Sequence, residues 1–342
     1  VQTCALPISL EHALRSGINL IDTSANYADG GSEQLVGVVL ADMIKRGEID
    51  REQVVVVTKA GYLQGENMEL SRQRKGEGVP FPDLVVFDAE LEHCIHPVFL
   101  AEQLTRSLQR MQLTHIDCLL LHNPEYYLKW ANHNNIDPEV AQTEYLRRIE
   151  TAFRYLESEV KSGRIGCYGI SSNTFPKPAT DYERTDLSAI LALAEEISQQ
   201  HHFRVIEFPC NLFEPGAMVE ENQPMNQTLI EFALDNQVTT LINRPLNAIQ
   251  ADQLIRLADN VYAGEAARQA ANFRRRLAGI DPAWSADTLS RLAIRALRST
   301  AGIGSVLVGM RRKEYVEDVL QELREPCQIS NRRQAWEMLA AM

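Results

Sequence analysis

Short, mostly apolar runs rich in β-branched residues recur along the 342-residue chain: INLID (18–22), VVVVTK (54–59), IDCLLLH (116–122), RIGCYGIS (164–171), FRVIEFPC (203–210), VTTLINRPL (238–246) and GSVLVGM (304–310). None alternates cleanly between apolar and polar positions, which is the pattern of strands covered on both faces in a parallel sheet. Helical spacing falls between them. Leu100, Leu104, Leu108 and Met111 predict a helix over 97–113, and Leu146, Ile149, Phe153, Leu156 and Val160 predict one over 143–162. Each set lays a single apolar stripe along one helix face. Lys161 and Gly163 close the second helix with a late cation and a glycine stop.

Repeated strand, helix and strand predict right-handed βαβ units, arranged as an open doubly wound sheet or as a closed (β/α)8 barrel. A barrel needs eight strands and the pattern supplies seven. The helix-like segment SLEHALRSG (9–17) should itself follow a strand, but residues 1–8 (VQTCALPI) contain Pro7 and make a poor one. They read as a truncated start or as foreign residues, leaving 9–342 as one domain with a helical C-terminal tail. Longer segments at 61–96, 123–142, 211–225 and 247–285 interrupt the repeat, and the first three follow strand C-termini, where barrel active-site loops sit. The charged run 71–83 reads as a solvated, mobile loop.

Composition narrows the function. With 45% apolar and 23% charged residues the chain can bury a sizeable core. A formal net charge of -12 disfavours nucleic acid and anionic membranes as partners. The six cysteines form no C-x-x-C pair, so neither a zinc ribbon nor a disulfide framework is expected, and a reducing, cytoplasmic setting fits. No apolar run reaches the length of a membrane span, about 18 residues.

Polar chemistry collects at the predicted strand ends: Asp22, Lys59 and His122 end three successive strands, and Tyr27 lies just beyond Asp22. A phenol is a reluctant acid at neutral pH, but a neighbouring ammonium stabilises its phenolate and lowers its pKa. A carboxylate beside the lysine keeps that ammonium charged, and a histidine can hydrogen-bond the same substrate oxygen. The set suits proton donation to an oxygen gaining negative charge, as when a carbonyl accepts hydride. Singly, each residue has a duller reading, as a helix cap, packing tyrosine, surface lysine or loop histidine; four in order at strand ends outweigh it.

The stretches GINLIDTSANY with SEQLVG, VVVVTKAG, IDCLLLHNPE and GRIGCYGISSN resemble, in order and spacing, the signatures of the aldo-keto reductase family, from about Ser9 to Val319. The resemblance implies a (β/α)8 TIM barrel that binds NADP(H) in extended form without a Rossmann fold, and no G-x-G-x-x-G follows any strand here. It implies Tyr27 as general acid, Lys59 as the partner that lowers its pKa, Asp22 as the anchor of Lys59 and His122 as the group orienting a small-molecule carbonyl. For the cofactor it implies Ser172 and Asn173 at the nicotinamide carboxamide, with Glu207 where the family usually has Gln. It also implies Gly309, Met310, Arg311 and Arg312 around the phosphates, and Tyr315 and Asp318 near adenine. The position that often carries a tyrosine stacked on nicotinamide reads Asn243, and the asparagine that commonly ends the adenine motif reads Val319.

The expected activity is therefore reversible NADPH-dependent reduction of an aldehyde or ketone, without a metal. Two alternatives compete: an NADP-binding regulatory subunit with little turnover, and a metal-assisted barrel hydrolase using Asp22 and His122. The latter needs three or four ligands at strand ends, and the sequence holds no H-x-H. Substrate identity and oligomeric state are not legible at this level.

Overall fold

The computed structural model describes residues 5–250, 253–257 and 265–342. The chain divides into two compact units. One comprises Leu10–Thr174 and Thr180–Ile206; the other gathers Phe175–Ala179 and Glu207–Met342 with the N-terminal residues up to Ser9.

The first unit is built on parallel strands β1 (Leu20–Asp22), β2 (Val55–Ala60), β3 (Ile116–His122) and β4 (Ile165–Ser171), followed in the sheet by the first residues of β5 (Phe203–Pro209). Val56, Val57, Leu119, Leu120, Leu121 and Ile170 are buried, as expected for strands covered on both faces. The register pairs Asp22 with Val57, Lys59 with Leu120 and His122 with Ser171, so the polar residues stand at the C-terminal ends. Gly169 is required by packing, because a Cβ there would overlap the Val205 carbonyl oxygen.

The helices between the strands follow the apolar spacing. Pro97–Met111 buries Phe99, Leu100, Leu104 and Met111 and starts with proline in its first turn. Pro138–Lys161 starts the same way, and the Asp137 carboxylate accepts from the backbone N–H groups of Glu139 and Val140. Gly163, at φ 77, follows its end.

In the second unit the remaining residues of β5 continue to β6 (Thr239–Asn243) and β7 (Ser305–Val306), and β6 and β7 pair in parallel. Helices Leu289–Arg298, Lys313–Arg324 and Arg333–Ala340 follow, and Trp284 and Trp336 meet at 4.9 Å between ring centroids.

All seven expected strands are present. At the N-terminus, Ala5–Arg15 forms one helix that begins before the expected 9–17, and residues 1–4 lie outside the described residues. Within the run 71–83, residues 71–76 depart from the loop reading, because they end the helix Gly65–Gly76, whereas 77–83 lie outside any helix or strand. Its polar residues work inward: Ser71 Oγ donates to Glu92 at 2.5 Å, and Lys75 pairs with the same carboxylate. The segment 61–96 also supplies three two-residue strands, Tyr62–Leu63, Val85–Val86 and Glu92–His93, paired antiparallel. Among the described residues no helix is long and apolar enough to cross a membrane.

Candidate functional site

The first unit brings Asp22, Lys59, Tyr27 and His122 together. β1 ends at Asp22, and both carboxylate oxygens accept from Lys59 Nζ at 2.6 Å. The Thr23 carbonyl adds a third acceptor at 3.3 Å. Lys59 is 0% exposed, so its charge is held by these oxygens instead of by water. The chain then turns through Ser24, Ala25 and Asn26 to Tyr27, whose ring centroid lies 5.3 Å from the Lys59 ammonium. Tyr27 is 40% exposed. Ala28 and Asp29 follow with φ of 50 and 52, and Gly30 with φ of 83, turning the chain into the helix Gly31–Lys45. Two successive side-chain-bearing residues in the left-handed region are a local strain tied to this turn.

His122 ends β3, one strand further along the sheet, with its ring edge-on to Tyr27 at 6.0 Å between centroids. It is 7% exposed, and its pKa is held well below the ordinary 6.5, first by burial and then by the charge of Lys59 and by His93. The ring is therefore neutral near pH 7. Its Nδ1 lies 3.0 Å from Ser24 Oγ.

Residues from 61–96 complete the surroundings. His93 Nε2 donates to the His122 carbonyl oxygen at 2.7 Å, and the Tyr62 ring stands perpendicular to His122 at 4.7 Å. Gly61 permits this approach: a Cβ there would collide with the His122 carbonyl and sit 2.7 Å from His93 Nε2. Tyr126 packs against Tyr62, Phe87 and His93, so an aromatic wall runs outward from His122. Asn123, at φ 53, accepts from the Tyr62 hydroxyl and donates to buried Glu125, whose pKa is raised by burial.

Ser24, Tyr62, His93 and Glu125 were not among the residues expected from the sequence. Ser24 stood inside a quoted motif without a separate signal, and His93 had none.

Ser172 and Asn173 follow β4. The Ser172 hydroxyl is buried within hydrogen-bonding distance of Thr174 and Thr185, whereas the Asn173 side chain is exposed and its backbone N–H donates to Glu125. In the second unit, buried Glu207 accepts from Asn243 Nδ2 at 2.9 Å. Asn243 Oδ1 is buried without a hydrogen-bond partner among the described residues. Beyond β7, Gly309, Arg311, Arg312 and Tyr315 are exposed and Met310 is half-buried. Asp318 accepts from Arg291 Nε at 2.7 Å and from Ser290 Oγ at 2.8 Å. Arg311, Arg312 and Lys313 stand at the start of the helix Lys313–Arg324 and form no ion pair among the described residues. The structure thus assembles the four residues expected to carry proton chemistry, and presents each group of expected cofactor residues within its own unit.

The chain is 34% identical over 110 residues to the NADH-specific methylglyoxal reductase of Escherichia coli (strain K12), a match covering 32% of this chain and 28% of that protein. It is 25% identical over 234 residues to the aldo-keto reductase YhdN of Bacillus subtilis (strain 168), covering 68% of this chain and 50% of the relative. The chain thus spans no more than half the length of these curated relatives. A solved aldo/keto reductase from Klebsiella pneumoniae, in complex with NADP and acetate, superposes with a TM-score of 0.57 at 15% identity, over 99% of this chain and 86% of that one. That likeness supports the (β/α)8 fold class that the family resemblance implies. The profile of the Aldo/keto reductase family matches residues 4–333, nearly the whole chain, and the protein belongs to that family.

Proposed function

We propose that this chain is an NADPH-dependent oxidoreductase that reduces an aldehyde or ketone to an alcohol, with Tyr27 as the proton donor. The observation that carries the reading is a buried lysine, bound to both oxygens of Asp22, beneath an exposed tyrosine ring. As the Tyr27 proton leaves for the substrate oxygen, the Lys59 ammonium stabilises the phenolate left behind. Asp22 makes this possible, because an unpaired buried ammonium would shed its own proton. Neutral His122 and the aromatic wall of Tyr62 and Tyr126 orient the substrate and exclude water from the oxygen.

NADP(H), when bound, supplies the hydride. The residues present fit it. Asn243 Oδ1 is an acceptor in want of a donor, which a carboxamide N–H would satisfy, and Glu207 beside it accepts likewise. Within the first unit, Asn173 with Ser172 offers polar groups that suit a carboxamide. Arg311 and Arg312 fit a phosphate, since exposed cations at a helix N-terminus oppose the helix dipole and gain from a bound anion. Gly309, Met310, Tyr315 and Asp318 complete the segment around the phosphates and adenine. The relative that is NADH-specific by name differs from this reading, which rests the choice of NADPH on the two arginines.

The test is to mix the purified chain with NADPH, and separately NADH, and a panel of aldehydes and ketones. Oxidation of NADPH matched by alcohol formed supports the reading. Saturable cofactor binding without turnover of any carbonyl would favour a binding-only protein instead.

A further inference from the structure

Cys118 and Cys167 are the third residues of β3 and β4, and the register sets them opposite each other. Opposed residues on parallel neighbours leave the sheet on one face, with Cα atoms about 4.8 Å apart, inside the range that a disulfide spans. His122 and Ser171 oppose each other on the same face four residues further on. About 13 Å of strand therefore separates the two cysteines from the candidate site.

The two thiols differ in access and in acidity. Cys118 is 2% exposed, whereas Cys167 is half-buried. A hydrogen bond with the Cys118 thiol lowers the pKa of Cys167, and the charge of Arg204 acts in the same sense, against burial and the charge of Asp117. A Cys167 thiolate carries no proton, so Cys118 is the donor in that pair. Burial instead pushes the Cys94 and Cys210 thiols up, Cys94 to about 12, which leaves neither as a nucleophile near pH 7.

We propose that Cys118 and Cys167 form a modification site, a dithiol that a hydroperoxide converts reversibly into a disulfide between β3 and β4. The Cys167 thiolate attacks a peroxide oxygen; the O–O bond breaks, sulfur becomes a sulfenic acid, and the other oxygen leaves as hydroxide and is protonated to water. Cys118 gives up its proton and attacks that sulfur; the S–S bond forms, the S–O bond breaks, and a second hydroxide leaves to become water. Two thiols and one hydrogen peroxide thus yield one disulfide and two waters, with two electrons passing from sulfur to oxygen. Strand spacing of about 4.8 Å exceeds the Cβ separation of about 3.8 Å that a disulfide favours, so closure pinches the strands together. A bond strained in this way is readily reduced, which makes the modification reversible. None of this depends on the reductase reading.

The experiment uses the full chain, reduced, freed of reductant and treated with hydrogen peroxide. Remaining thiols are capped with N-ethylmaleimide in denaturant, and the chain is cut with trypsin. The expected product joins peptide 111–129 to peptide 165–184, in chains that run singly on a non-reducing denaturing gel, with the count of capped thiols lower by two. Glutathione should restore both thiols. This result is read in the wild type, so it does not depend on whether any variant folds. Both cysteines recovered as capped thiols, a sulfinic or sulfonic acid on Cys167 beside a capped Cys118, or a bond joining two chains overturns the proposal. A bond that glutathione leaves intact overturns its reversibility. Cys118→Ser should stop at a sulfenic acid on Cys167, trapped by dimedone, and Cys167→Ser should leave Cys118 a thiol. Oxidation of Cys118 in Cys167→Ser would overturn the assigned order of attack.

Discussion

The turn after β1 and the segment after β7 hold their polar groups in opposite ways. Asp22, Lys59, Ser24 and His122 constrain one another through hydrogen bonds of 2.6 to 3.0 Å, and Lys59 and Ser24 are fully buried. Arg311, Arg312 and Lys313 project into solvent at a helix start, without ion-pair partners among the described residues. Under the proposed function the difference follows from what each chemistry requires. A proton donor must meet its stabilising charge in fixed geometry before the substrate arrives, whereas exposed guanidinium groups can close around a phosphate when it binds.

The comparison is tested most severely at Lys59. Lys59→Met should lower kcat/KM by roughly a thousandfold. It should also destabilise the fold by about 3 kcal/mol, because it strands Asp22 beside an apolar side chain. Steady-state kinetics and urea unfolding read the two effects separately; wild-type kcat/KM in a folded variant would break the contrast.

A smaller effect is expected from Arg311→Ala combined with Arg312→Ala. The Kd for NADPH should rise roughly tenfold to a hundredfold, the Kd for NADH should stay unchanged, and kcat at saturating cofactor should stay close to wild type. Equal weakening of both cofactors would mean that the arginines do not read the 2′-phosphate.

The smallest effect is on stability. Burial lowers the pKa of His93 to about 4, and that of His122 falls well below 6.5. In the unfolded chain a histidine titrates near 6.5. The unfolded state therefore binds more protons below that pH, and stability present above it is lost as the pH falls towards 4. Between pH 6.5 and 5, His93 alone costs about 2 kcal/mol. Urea midpoints at pH 7 and pH 5 should differ less in His93→Gln than in the wild type; an unchanged difference would refute a neutral, buried His93.

Much of the parallel sheet was legible because its strands are buried on both faces, which writes continuous apolar runs into the sequence. Asp22, Lys59 and His122 were legible as polar residues ending such runs, and Tyr27 as the phenol just beyond Asp22. Tyr62 and His93 among the aromatic surroundings were not. Tyr62 and His93 sit on strands of two residues, too short for any periodicity to show, and they reach His122 only through antiparallel pairing. The helix Gly65–Gly76 was hidden because Ser71 and Lys75 bind the Glu92 carboxylate where apolar residues would have given a stripe. Ser24 looked like part of a polar turn, and its approach to His122 Nδ1 comes from the fold and not from residue type.

The central claim is that Tyr27 delivers the proton, and single turnover of Tyr27→Phe tests it most directly. The variant and the wild type are loaded with NADPH, cofactor affinity is checked by titration, and each is mixed with a carbonyl compound that the wild type reduces. The account predicts NADPH affinity within about twofold of wild type and a reduction rate lower by about a thousandfold or more. A Phe variant that reduces the carbonyl at the wild-type rate would contradict it.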